Sequence, residues 1–220
     1  GKQKQSEPVL VRVCDVRREE VAWLWDGRVP MGKLTLFEGD PGVGKSFCSL
    51  KIAAAITRGL GLPGQKKADP GNVLILSCED GVADTIRPRL EDMDADLRRI
   101  SILRGAKDRK GQERTITLLD LDILERAMNI EKPRLTVVDP SIAYFAGRDE
   151  WKASQVRGVL GPLDALAEKT GSAVIGIRHL VKSMARAIYK GQGSIDFIAA
   201  CRSAFVSGES PETPGECVLA

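Results

Sequence analysis

The sequence predicts an α/β domain built on a mainly parallel, twisted sheet with helices on both faces. Three observations carry this. Short, continuously apolar runs recur along the chain, such as residues 34–37 (LTLF) and 73–76 (VLIL), as strands covered on both faces require. Stretches with apolar residues at helical spacing separate those runs. A glycine-rich turn, GDPGVGKS at residues 39–46, stands between one such strand and one such helix.

The elements follow in order. Residues 1–20 are polar and charged and read as a flexible lead-in, leaving residues 21–220 as the domain. The aromatic stretch 21–25 (VAWLW) has two open roles, covering an edge of the core or packing on a neighbouring subunit. Residues 33–38 read as a buried strand and 45–58 as a helix, with Leu50, Ala53, Ala54 and Thr57 on one face. Glycines and prolines make 59–72 a loop. A second strand covers 73–78, and a helix over 83–93 is shortened or kinked by Pro88. Residues 100–103 form a short strand, 104–114 a charged loop, 121–129 a helix and 134–140 a strand. Val156, Val159, Leu160, Leu163 and Leu166 form the apolar stripe of a helix over 155–169. Further strands follow at 173–178 and 202–207, with another expected at the C-terminal ECVLA.

The composition suits one globular domain: 220 residues, 43% hydrophobic, 29% charged. No apolar run is long enough to span a bilayer, and no signal peptide is visible in GKQKQSEP. The chain opens on Gly1 rather than Met, so a fragment or an expression remnant is expected there. Five widely spaced cysteines without a CxxC pair read as reduced, mostly buried thiols of a cytoplasmic protein. The net charge of +3 permits nucleic-acid binding without arguing for it.

Ligands of such sheets bind at the carboxyl ends of the strands, so the polar residues there are the candidates. Gly39, Asp40, Pro41, Gly42, Val43, Gly44, Lys45, Ser46 and Phe47 form a phosphate-binding loop that opens a helix. Lys45 is expected to reach the β- and γ-phosphates of a nucleotide, and the Ser46 hydroxyl to ligate Mg²⁺. Asp139, at the end of its strand, is the second Mg²⁺-site candidate; a helix cap is the alternative. Glu79, followed by Asp80, is placed to activate the attacking water, or else belongs to a solvated acidic turn. His179 is the single histidine and ends another core strand, as a γ-phosphate sensor or as a structural histidine. Between Lys169 and Ile195 there is no acidic residue, and Lys182, Arg186 and Lys190 fall in a glycine-containing stretch that reads as a mobile basic loop. Such a loop is either a DNA contact or simply solvated. Tyr144, Phe145 and Arg148 follow Asp139 and are weaker candidates for stacking bases.

Together the stretches WLWDGRVPMGKLTLFEGDPGVGKS, VLILSCEDGVADTIRPRL, LTVVDPSIAYF, RHLVKS and GQGSIDFIAACRSAFV resemble the RecA-like phosphate-loop ATPases. The resemblance is closer to the plasmid RepA-type hexameric replicative helicases and their phage or prophage helicase and primase–helicase relatives. It covers residues 21–206 and implies catalytic roles for Lys45, Glu79 and His179, with Ser46 and Asp139 at Mg²⁺. It also matches Arg202, nine positions after Gly193, to an arginine that reaches into a neighbouring subunit's site; an arginine that starts a strand and pairs locally is the alternative. The resemblance further implies ATP and Mg²⁺ as the bound cofactors. The implied function is an ATP-dependent DNA helicase or translocase of plasmid, phage or prophage replication. It would form a homo-oligomer, a hexameric ring, on single-stranded DNA, with replication proteins as further partners and no membrane. The alternatives are a non-translocating ATP-dependent switch or clamp and a recombinase filament. Because the chain stops at Ala220 inside an expected strand, C-terminal truncation is also expected, and no primase segment is visible.

Overall fold

The computed structural model describes residues 9–148, 152–180, 191–213 and 215–220. Its elements are β1 (Trp23–Trp25), β2 (Val29–Pro30), β3 (Leu34–Gly39), α1 (Lys45–Arg58), β4 (Asn72–Ser77), α2 (Arg87–Asp92), β5 (Ile100–Ile102), β6 (Ala106–Lys107), β7 (Glu113–Arg114), α3 (Leu121–Glu131), β8 (Pro133–Asp139), α4 (Ala153–Thr170), β9 (Ala173–His179), α5 (Gly191–Ala200), β10 (Ser203–Glu209) and β11 (Cys217–Leu219). Seven strands form the central sheet in the order β11-β10-β3-β9-β8-β4-β5. Every neighbouring pair in it is parallel except the antiparallel β10–β11 pair.

Side chains alternate across the strands and so feed two cores. Phe37, Ile75, Val137 and Ile175 pack with Ile52, Ala53 and Ile56 of α1 on one face. Leu34, Leu36, Leu74 and Val174 pack with Leu124 of α3, Val159, Leu160 and Leu163 of α4 and Phe197 of α5 on the other. Both faces are therefore covered, which is why the strands read as unbroken apolar runs. The stripe of α4 is buried throughout, and α1 spans the bounds its sequence pattern set.

The aromatic stretch near the start packs inward. β1 pairs with β2, Leu24 and Val29 join the first core, and Trp25 Nε1 donates to Pro63 O at 3.0 Å. Pro88 occupies the first turn of α2, where its missing N–H costs nothing. The expected single helix is accordingly two pieces, a π-helical turn Val82–Ile86 and then α2.

The cysteines are not mostly buried: Cys14, Cys78 and Cys217 are exposed and Cys48 and Cys201 half-buried. Two expected loops also need correction. Residues 104–114 contain the β6–β7 hairpin, whose turn is closed by Asp108 Oδ1 accepting from Lys110 N at 2.8 Å and Gln112 N at 2.9 Å. The stretch read as a basic loop gives way at Gly191 to α5, which runs to Ala200. Glycines at 191 and 193 argue against a helix locally; burial of Phe197 against the second core overrides that preference.

Candidate functional site

Parallel register brings the predicted residues to one edge. Gly39 at the end of β3 aligns with His179 at the end of β9, and Ser77 at the end of β4 aligns with Asp139 at the end of β8. Glu79 and Asp80 lie just past β4. The turn from β3 into α1 lies over the same edge, and its shape is held from the side by β10, where Ser207 Oγ donates to Val43 O at 2.5 Å.

Lys45 is the first residue of α1 and is buried. Its ammonium donates to Gly39 O at 2.9 Å and Asp40 O at 2.7 Å. Burial lowers its pKa, and the carboxylates of Asp139, Asp40 and Glu79 oppose that shift. The hydroxyl of Ser46, the next residue, faces Asp139. Desolvation pushes the Asp139 carboxyl above its ordinary range; the Ser46 hydroxyl and His179 pull it back, while Asp80 and Glu79 push it further up. A buried carboxylate among other carboxylates favours a cation.

His179 Nε2 lies 3.5 Å from Glu79 Oε2, whose side chain is 59% exposed. The other imidazole nitrogen, Nδ1, is buried and has no hydrogen-bond partner among the described residues. Gly42, Gly44, Lys45, Ser46, Phe47, Glu79, Asp139 and His179 all line one cavity of about 330 Å³.

Arg89 also lines this cavity and pairs through Nη1 with Asp80 Oδ2 at 3.0 Å. Sequence reasoning did not find it. Its one local signal is Pro88, which marks a first helical turn and so puts Arg89 near the start of α2.

Arg202 stands elsewhere. It precedes β10 and donates its backbone N–H to Leu34 O at 2.9 Å, at the amino end of the sheet. Five strand residues separate that level from Gly39, about 16 Å at 3.3 Å per residue. Its side chain is exposed and belongs to a different cleft, beside Lys33, Asp164 and Glu168. Tyr144 and Phe145 do not fit base stacking: they are 4% and 2% exposed, packed into the second core, and only Arg148 of that trio reaches solvent. Lys182, Arg186 and Lys190 lie outside the described residues.

The residues present fit a nucleotide with a divalent cation. A Cβ on Gly42 would meet no atom of the described residues within 4 Å, so the loop leaves room above its backbone where a phosphate would sit. The Ser46 hydroxyl and Asp139 carboxylate are hard oxygen donors of the kind Mg²⁺ takes alongside water and phosphate. Among the described residues no helix is long and apolar enough to cross a membrane.

No curated protein matches the chain. A family model described as an AAA domain matches residues 3–185, a span that contains the phosphate loop, Glu79, Asp139 and His179. The chain therefore belongs to the AAA domain family of phosphate-loop ATPases.

Proposed function

We propose that this chain is the ATP-hydrolysing domain of a DNA helicase or translocase of plasmid, phage or prophage replication, with each hydrolytic site shared between two copies. One observation carries the shared site. Lys45, Ser46, Glu79, Asp139 and His179 converge at the carboxyl edge of the sheet, whereas Arg202 is exposed about 16 Å away at the amino edge. An arginine so placed cannot serve its own chain's phosphate loop, but it is presented outward to a neighbour.

At the site, backbone N–H groups of residues 42–46 and the N-terminus of α1 hold the phosphates. The Lys45 ammonium exchanges the carbonyls of Gly39 and Asp40 for phosphate oxygens. Ser46 and Asp139 would hold Mg²⁺, which supplies charge neutralisation at the β- and γ-phosphates. Glu79 orients the attacking water and accepts its proton. His179, freed from Glu79, donates a hydrogen bond on the γ-phosphate side and so registers its presence. Arg202 from the neighbouring copy offsets charge as the terminal phosphoryl group departs, a contribution of about 10³–10⁵ in rate where such arginines act.

Steady-state ATPase activity measured against protein concentration, with and without single-stranded DNA, tests the reading. Turnover per chain should rise with concentration and rise again with DNA. Adding Arg202→Ala chains to wild type should depress activity more than dilution does; a simple average of the two activities would remove the shared site. Concentration dependence without DNA stimulation would leave a non-translocating switch in place of a translocase.

A further inference from the structure

Glu38 and Arg178 are the residues just before Gly39 and His179, which end β3 and β9 at the proposed site. They project to the face opposite α1 and are almost completely buried, at 5% and 3% side-chain exposure. Arg178 Nη1 lies 3.4 Å from Glu38 Oε2. The Arg178 guanidinium also stacks over the ring of Phe197 in α5, 4.2 Å from its centroid. Phe197 is itself fully buried and meets Phe145 edge-on at 5.3 Å, and Phe145 belongs to the segment that follows Asp139. One side chain of α5 thus touches two of the segments that end at the site, and a third, β3, through Arg178.

Stability alone is a poor reason for this arrangement. Desolvating two charges costs as much as their attraction returns, and apolar replacements of such pairs are often neutral or better. What the pair and its stacked ring do supply is geometry, because a planar guanidinium has one good way to lie on an aromatic face. In an extended strand successive side chains point to opposite faces. A change at His179 therefore tilts Arg178 on the other side of the same peptide. Beyond Phe197, α5 leads through Cys201 directly to Arg202.

We propose that Arg178 is a positioning residue: with Glu38 and Phe197 it forms a buried joint through which occupancy of the phosphate loop sets the position of α5, and with it Arg202. This rests on the nucleotide site proposed above. One copy's nucleotide would thereby control the arginine it offers to the next copy.

Amide hydrogen exchange across residues 191–200, with and without Mg²⁺ and ATPγS, reads the joint without requiring DNA or turnover. In the wild type, nucleotide should change exchange of α5 by about fivefold or more. The Glu38→Gln/Arg178→Met double variant keeps the volume and removes both charges. It should bind a fluorescent ATP analogue within about threefold of wild type while its α5 response falls below about twofold. Phe197→Leu approaches the joint from the other side and should lose the response likewise, so a failure of the double variant to fold leaves the idea exposed to test. A folded variant of either kind that keeps the full response overturns the joint. So does a wild type that binds nucleotide with no change in α5. A wild type that binds no nucleotide at all removes the site reading, and this inference with it.

Discussion

Alanine at Gly39 and alanine at Gly42 should separate the two tasks of the phosphate loop, holding its own shape and leaving room for phosphate. Gly39 has φ +156° and sits against β10, in register with Ser207. A Cβ there would lie 2.3 Å from Ser207 O and 3.1 Å from Val43 Cγ2. A carbon–oxygen contact normally needs about 3.3 Å, so the carbonyl must retreat by about 1 Å and open the parallel ladder. Overpacking of this kind costs about 1–3 kcal/mol, and the backbone conformation adds about 1–2 kcal/mol for a residue with a side chain. The total for Gly39→Ala is about 2–5 kcal/mol. Gly42 has φ +85° but nothing within 4 Å of the added carbon. Gly42→Ala therefore carries only the backbone cost of about 1–2 kcal/mol. Its methyl group enters the cavity itself, so nucleotide affinity should fall at least about tenfold, equivalent to about 1.4 kcal/mol. Urea unfolding followed by tryptophan fluorescence measures the first quantity, and titration with a fluorescent ATP analogue the second. Equal unfolding midpoints for the two variants, or wild-type affinity in Gly42→Ala, would refute the reasoning.

Glu79→Gln should lower the single-turnover hydrolysis rate by about 10²–10⁴ with ATP affinity nearly unchanged; an unchanged rate would take the water-activating role away from Glu79. Asp120 ties the β6–β7 hairpin to α3 through Arg114 Nη2 at 2.5 Å and Thr117 N at 2.8 Å. The Arg114 bond is the main cause holding its carboxyl down at about 2, against an opposing push from burial. A depressed carboxylate stabilises the fold above its ordinary pKa of 3.8, and that contribution is lost as the pH falls toward about 2. Asp120→Asn should therefore be about 1–2 kcal/mol less stable than wild type at pH 7, allowing for screening of the half-exposed Arg114. The gap in urea midpoint should close between pH 4 and pH 2; a gap constant with pH would show that the charge is not its source.

What could be read from the chain divides by the range of the physics involved. The doubly covered sheet was legible because burial on both faces leaves an apolar run that needs no knowledge of partners. Lys45, Ser46, Asp139 and His179 were legible for the same reason: each is tied to the end of such a run, and parallel register then carries it to one edge. α5 was not legible, because its glycines speak against a helix and its warrant is the burial of Phe197 against distant residues. Tyr144 and Phe145 misled in the opposite direction, since aromatic residues next to a strand end look alike in sequence whether they face solvent or core. Arg89 needed a tertiary distance to Asp80. Arg202 depends on register most of all. The same parallel pairing of β10 with β3 that brings Ser207 to the phosphate loop puts Arg202 at the far end of the strand. Ser207, five places along, can hold the loop, and Arg202 cannot reach it; in the shared site proposed above, the length of β10 is what would direct Arg202 to another copy's phosphate.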